Sequence, residues 1–186
     1  DRKLPRDIAG AYIGGGFPEM YAESLAANAA MKESVRIAAR DGMPVYAECG
    51  GLMYLCDSIV SEEGSFSMVG VLPATTIMTN KLQALGYVEA EVSGGNPVVA
   101  KGRTVRGHEF HYSKAVLHPS DDTKTVFKVL RGEGIDRQKD GLCRKNVLAT
   151  YTHIHAGGNQ DWAGRFMRVA MSSRERNFSG NSKKKG

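Results

Sequence analysis

Cys49 is preceded by the apolar run Pro44-Val45-Tyr46-Ala47-Glu48 and followed by Gly50-Gly51-Leu52-Met53-Tyr54. This order reads as a buried strand, a tight turn and a helix, so the thiol projects from a bend beside free backbone N–H groups and the positive end of a helix dipole. Such a position favours the thiolate, the reactive form of cysteine. Cys49 is therefore the candidate nucleophile. The usual elbow carries a glycine two residues before the nucleophile, where this chain has Ala47, so burial of Cys49 as a small hydrophobe stays open on this stretch alone. Cys56 falls on what reads as the following helix and is expected to pack there, and Cys143 lies in a polar connection with no role.

A cysteine nucleophile needs a base, and the five histidines fall at His108 and His111, at His118, and at His153 and His155. His118 precedes a proline in a polar stretch and reads as a surface residue. His153-Ile154-His155 ends an expected strand over 147–153, and alternation sends both imidazoles to one side. A strand running with the elbow strand ends on the same sheet edge, where open α/β sheets place their ligands. His153 is then the expected base, taking the thiol proton and returning it to a leaving amine. Gly14, Gly15 and Gly16 bring free backbone N–H groups to that edge and, with the Gly50 amide, form an expected oxyanion hole. Each important donor of this kind is worth about 3–4 kcal/mol in acyl-transfer sites. The triple glycine has neither the spacing nor the Gly-Lys-Ser/Thr of a phosphate loop. An H-x-H pair near His108 and His111 also suits zinc, with the thiol as a ligand, and that metal-binding alternative stays open.

The elements that must position these groups are those of one α/β domain. A chain of 186 residues buries a real core without disulfide or metal staples. Three cysteines without a C-x-x-C argue against a disulfide framework or a structural zinc site and favour a reducing cytoplasm. No run approaches the roughly 18 apolar residues of a spanning helix, so no membrane partner is expected. The net charge of +5 includes Lys183, Lys184 and Lys185 in a Ser/Gly/Asn-rich end, and no aromatic RNA-binding strand or recognition helix accompanies it, so nucleic acid is not expected either. The opening at Asp1, without an initiator methionine or signal-like run, suggests a fragment or the later half of a longer polypeptide. Strands over 8–13 and 44–48 alternate with helices over 19–40 and 52–59, which predicts parallel pairing. Strands over 69–78, 85–92, 104–114 and 125–130 predict an antiparallel or mixed extension, and a helix over 161–172 closes the domain. Residues 173–186 read as a disordered basic tail.

The segments Tyr12-Ile13-Gly14-Gly15-Gly16-Phe17-Pro18-Glu19, Ala47-Glu48-Cys49-Gly50-Gly51-Leu52-Met53-Tyr54-Leu55, Leu85-Gly86-Tyr87, Gly107-His108-Glu109-Phe110-His111-Tyr112-Ser113 and Tyr151-Thr152-His153-Ile154-His155 together carry a resemblance. In order and spacing they closely resemble the class I glutamine amidotransferase domains of the cobyrinate and cobyrate synthase branch, cobyrinate a,c-diamide synthase foremost, over nearly all of residues 5–172. The resemblance implies a flavodoxin-like α/β fold with a mostly parallel central sheet, helices on both faces and a mixed or antiparallel extension. It implies Cys49 as nucleophile, His153 as base, Gly14, Gly15, Gly16 and Gly50 as the oxyanion and glutamine site, a supporting or glutamine-positioning part for Glu109 and His111, which a cross-strand structural network explains nearly as well, and a supporting part for His155. Other class I enzymes carry His-x-Glu, whose carboxylate orients the imidazole, whereas this chain has His155 there, as the branch does. The implied activity is the glutaminase half of an ATP-dependent tetrapyrrole diamide synthase of cobalamin biosynthesis, with glutamine as substrate and no cofactor in this domain. ATP and Mg2+ belong to an N-terminal synthetase domain, since no G-x-x-x-x-G-K-[ST] occurs here. Nickel-sirohydrochlorin diamidation is the alternative acceptor chemistry. A cysteine peptidase of the same architecture and a non-catalytic binding module are the remaining readings.

Overall fold

The chain forms β1 (Ala11–Ile13), α1 (Ala22–Ala27), α2 (Ala29–Arg40), β2 (Val45–Glu48), α3 (Gly50–Leu55), β3 (Cys56–Ser61), β4 (Gly64–Ser67), β5 (Leu72–Met78), β6 (Ala84–Val92), β7 (Thr104–His111), β8 (Ser113–Leu117), β9 (Thr123–Arg131), β10 (Lys139–Arg144), β11 (Val147–Thr150), β12 (His153–Ile154) and α4 (Trp162–Ser182). The computed structural model describes residues 1–159 and 161–182, with side chains through 175. Every residue of β2 is buried, as in a strand covered on both faces, and β2 pairs in parallel with β1 on one side and β11 on the other. These are the parallel part of an eight-stranded sheet of order β1-β2-β11-β10-β9-β6-β7-β12, whose other pairings are antiparallel. A second sheet has the order β4-β3-β5-β8.

Alternation along β2 and β11 assigns the helices to their faces. Val45, Ala47, Val147 and Ala149 pack with Val35 and Ala39 of α2 and Leu52 and Leu55 of α3. Tyr46 and Leu148 point the other way and pack with Phe166 of α4, with Trp162 against them. Each of these larger side chains contributes about 1.5–3 kcal/mol on full burial. The α/β order expected of the first half is therefore present, with a parallel part narrower than its antiparallel extension.

Several boundaries differ, each for a local reason. The helix expected over 19–40 opens as a 3-10 turn at Pro18–Tyr21 and is interrupted at Asn28, whose side chain accepts from the Met31 amide at 3.2 Å and restarts it as α2. The helix expected over 52–59 stops at Leu55. Cys56 is already extended, and Ile59 and Val60, β-branched residues suited to strands, pair with both β4 and β5. Cys56 thus packs at a strand start, where burial pushes its thiol up. Residues 104–114 form two strands in different sheets. Cys143 lies on β10 rather than in a polar connection, buried, with its thiol pushed up to about 11 by that burial.

The run over 147–153 also divides. β11 ends at Thr150, and β12 turns to the far edge of the sheet to pair antiparallel with β7, placing His153 opposite His108. α4 continues to Ser182, past the expected start of the tail at Ser173, and the Ser173 hydroxyl donates to the Gly42 carbonyl at 2.8 Å. Residues 183–186, the end of that expected tail, lie outside the described residues. No described helix is long and apolar enough to cross a membrane. All three cysteines are free.

Candidate functional site

Cys49 has φ 47° and ψ −102°, a conformation that costs a non-glycine residue about 1–3 kcal/mol. Its own neighbours impose the turn. The Cys49 N–H donates to the Thr150 carbonyl at 2.7 Å, as part of the sheet, while its carbonyl accepts from the Met53 amide at 3.0 Å, as the start of α3. One residue therefore carries the whole change from strand to helix. Gly50 fits because a Cβ there would collide with the backbone of Gly16, so the glycine loop lies directly on the turn. The first amides of α3 have no acceptor within the helix, and residues 14–17 belong to no helix or strand. Of the expected oxyanion donors, Gly16 thus lies against Gly50 and Gly15 against the His153 ring, while Gly14 lies nearest the Tyr12 hydroxyl.

His153 reaches the same place from β12. The Cys49 sulfur first, then the Glu48 carboxylate, raises the pKa of its imidazole to about 9 against the opposing effect of burial. The ring stacks on His108 with centroids 4.8 Å apart, and its Cε1 edge faces Gly15 so closely that a Cβ at 15 would overlap it. Cys49 keeps 7% exposure and the His153 side chain 22%, so the imidazole is the more open partner. The sulfur also lies 3.7 Å from the Phe110 carbonyl.

Glu48 is the group that sequence reasoning quoted without assigning. It is 5% exposed, and its Oε2 faces the His153 Nδ1 at 3.5 Å and accepts from the Tyr12 hydroxyl at 2.8 Å. Its Oε1 accepts from the Ile154 amide at 2.9 Å and from the Tyr46 hydroxyl. Burial works to raise the Glu48 carboxyl, but His153, Tyr46, Ile154 and Tyr12 outweigh it and hold the group below the ordinary carboxylate value.

The remaining candidates are placed elsewhere. His155 does not share a side with His153. It is exposed, its Nδ1 accepts from the Gly158 amide at 3.2 Å, and it caps the 3-10 turn Ala156–Gly158. The alternation argument fails because β12 is only two residues long. Glu109 accepts from the Glu133 and Gly134 amides at 2.6 and 2.9 Å, and His111 stacks on Tyr151 at 3.8 Å. These contacts go to the loop at 133–134 and to the buried Tyr151 ring. His118 pairs with Asp57 at 2.9 Å. Among the described residues no group of three or more His, Cys, Asp or Glu is arranged to hold a metal ion. A cavity of about 930 Å³, walled by Arg103, Arg106, Trp162, Arg165 and Arg168, lies at the start of β7 and α4 and does not include Cys49.

A buried strand, a strained cysteine, a charged imidazole and a loop of amides form an arrangement for acyl transfer from an amide or ester. Comparison with known proteins narrows it. Cobyrinate a,c-diamide synthase of Dehalococcoides mccartyi strain CBDB1 is 46% identical over 174 residues, covering 91% of this chain and 37% of that protein. The protein of the same name from Archaeoglobus fulgidus is 41% identical, with 94% of this chain and 37% of that protein covered. The chain therefore spans little more than a third of these relatives. A glutamine amidotransferase crystal structure shares the fold, with TM-score 0.61 and 17% identity over 90% of this chain and 80% of that one. The CobB/CobQ-like glutamine amidotransferase domain matches residues 1–161, and the chain belongs to that family.

Proposed function

We propose that this chain is the glutaminase half of an ATP-dependent tetrapyrrole a,c-diamide synthase of the cobyrinate type, acting in the cytoplasm in cobalamin biosynthesis. The observation that carries the reading is Cys49, held at its strained turn against the His153 imidazole and under the glycine loop. With His153 raised to about 9, the proton sits on the imidazole at neutral pH, ready for the leaving group. The Cys49 thiolate attacks the side-chain carboxamide carbon of glutamine, and the displaced electron pair moves to the oxygen, which the amides of the glycine loop and Gly50 receive. Collapse breaks the carbon–nitrogen bond while the imidazolium gives its proton to nitrogen, releasing ammonia and leaving a γ-glutamyl thioester. Water then attacks the thioester, giving up a proton to His153 and returning the thiolate with glutamate.

This sequence carries no phosphate-loop motif, and we place ATP and Mg2+ outside it. They belong with a synthetase domain that activates the acceptor carboxylates and receives the ammonia. The relatives' greater length supports such a partner, fused or separate. The test is treatment with a glutamine-analogue diazoketone, followed by intact mass and by ammonia release from glutamine. One adduct on Cys49 is expected, with adduct and ammonia both lost in Cys49→Ala. Labelling that survives Cys49→Ala, or no labelling where a known glutaminase is labelled, would overturn the reading.

A further inference from the structure

The third member of the catalytic set has no occupant in the expected place, since His155 stands where a carboxylate is usual and turns outward. Yet a carboxylate is present at the imidazole. Glu48 is buried, and its two oxygens take protons from Tyr12, Tyr46 and the Ile154 amide while Oε2 faces the His153 Nδ1. The Ile154 contact matters most, because it pins the backbone next to His153 to the carboxylate that faces its ring. With Nδ1 directed at Glu48, the other ring nitrogen is left for the sulfur.

The groups around the pair are few. Cys49 approaches His153 from the elbow turn and His108 from β7, while Tyr12 of β1 and Tyr46 of β2 approach Glu48. The upward shift of His153 comes from Cys49 and then Glu48, and the stacked His108 is not among its causes. Burial, then Glu48 itself, pushes Tyr12 up to about 12 and Tyr46 well above its usual value, so both remain donors to Glu48 throughout the working range.

We infer that Glu48, the residue immediately before the nucleophile, is the positioning carboxylate of His153, supplying from β2 the orientation that other class I enzymes draw from a glutamate two residues beyond the histidine. The role rests on the glutaminase reading. Glu48 touches no substrate; it fixes the imidazole by its tautomer, its orientation and its charge.

The test reads His153 directly, through the NMR titration of its Cε1 proton, assigned by its loss in His153→Gln. In Cys49→Ala the sulfur is gone, and Glu48 alone should keep the imidazole at least one pH unit above the unperturbed value of about 6.5. Adding Glu48→Gln should bring it to that value or below. In the otherwise intact chain, Glu48→Gln should lower kcat for glutamine hydrolysis about 10- to 100-fold with KM changed less than threefold, and Glu48→Asp should recover part of the loss. A His153 titration in Cys49→Ala that ignores Glu48→Gln, or a folded Glu48→Gln chain with unchanged kcat, would overturn the inference. If Glu48→Gln fails to fold, the single variant Cys49→Ala decides, and titration at or below about 6.5 rejects the role. Should the intact chain release no ammonia while His153 still responds to Glu48, the pairing stands and the glutaminase reading falls.

Discussion

Charge on the His153 imidazole gives the site a thermodynamic signature. Its pKa is about 9 in the folded chain, held up by the Cys49 sulfur and then by Glu48, against about 6.5 when unfolded. Because the folded value is the higher, the stabilisation is complete below about pH 6.5 and is lost as pH rises through 9, with a full extent of roughly 3 kcal/mol. Urea midpoints of the wild-type chain and His153→Gln should therefore differ most near pH 6 and converge by pH 10; a gap independent of pH would contradict the assignment. Cys49 and His153 were legible because an elbow and a histidine at a strand end can be read from order alone. Glu48 was not, for a physical reason. Alternation places Glu48 with Tyr46 on the α4 face, while Cys49 lies with Val45 and Ala47 on the face of α2 and α3. Adjacent residues on opposite faces do not ordinarily serve one imidazole. They do so here because the chain leaves β11 at Thr150 and pairs with β7 as β12, a tertiary fact that no spacing reports.

The element that brings His153 into place is the corner between β11 and β12. Asp140, on β10 and fully buried, accepts from the Tyr151 amide at 3.1 Å, the Thr152 amide at 3.0 Å and the Thr152 hydroxyl at 2.7 Å. Those bonds hold the chain in its turn away from β11. Asp140→Ala strands three buried donors and should cost about 3 kcal/mol. A variant that still folds should also show a lower kcat, since the corner then positions His153 less well. Thermal melting and glutamine turnover measure the two effects, and full turnover in a destabilised chain would separate the corner from the site. This corner was hidden in the sequence because Lys139–Arg144, polar at both ends and interrupted by Gly141, carries little strand pattern, so β10 and the role of Asp140 went unseen together. The parallel start of the fold, by contrast, was readable from the apolar runs at β1 and β2 and the glycines that follow them.

On the scale of the whole molecule, the proposed hydrolytic set lies within this chain, whose sequence carries no phosphate-loop motif. Supplied with glutamine, tetrapyrrole, ATP and Mg2+, it should release ammonia without amidating the acceptor, and product should appear on mass spectrometry only when a synthetase domain is added. Amidation by this chain alone would contradict that division of labour. The second sheet was the least legible part, because Ile59 reads as helix, whereas it and Val60 pair with Phe66 and Ser65 across a tight turn and with Thr76 and Ile77 farther along the chain. The positive φ of Cys49 has one more effect, on robustness rather than chemistry. At most positions glycine loosens a protein relative to alanine, but at this one only glycine is at ease. Of two dead enzymes, Cys49→Gly should melt at a higher temperature than Cys49→Ala, making the nucleophile's seat a place where catalytic competence and thermal endurance pull in opposite directions.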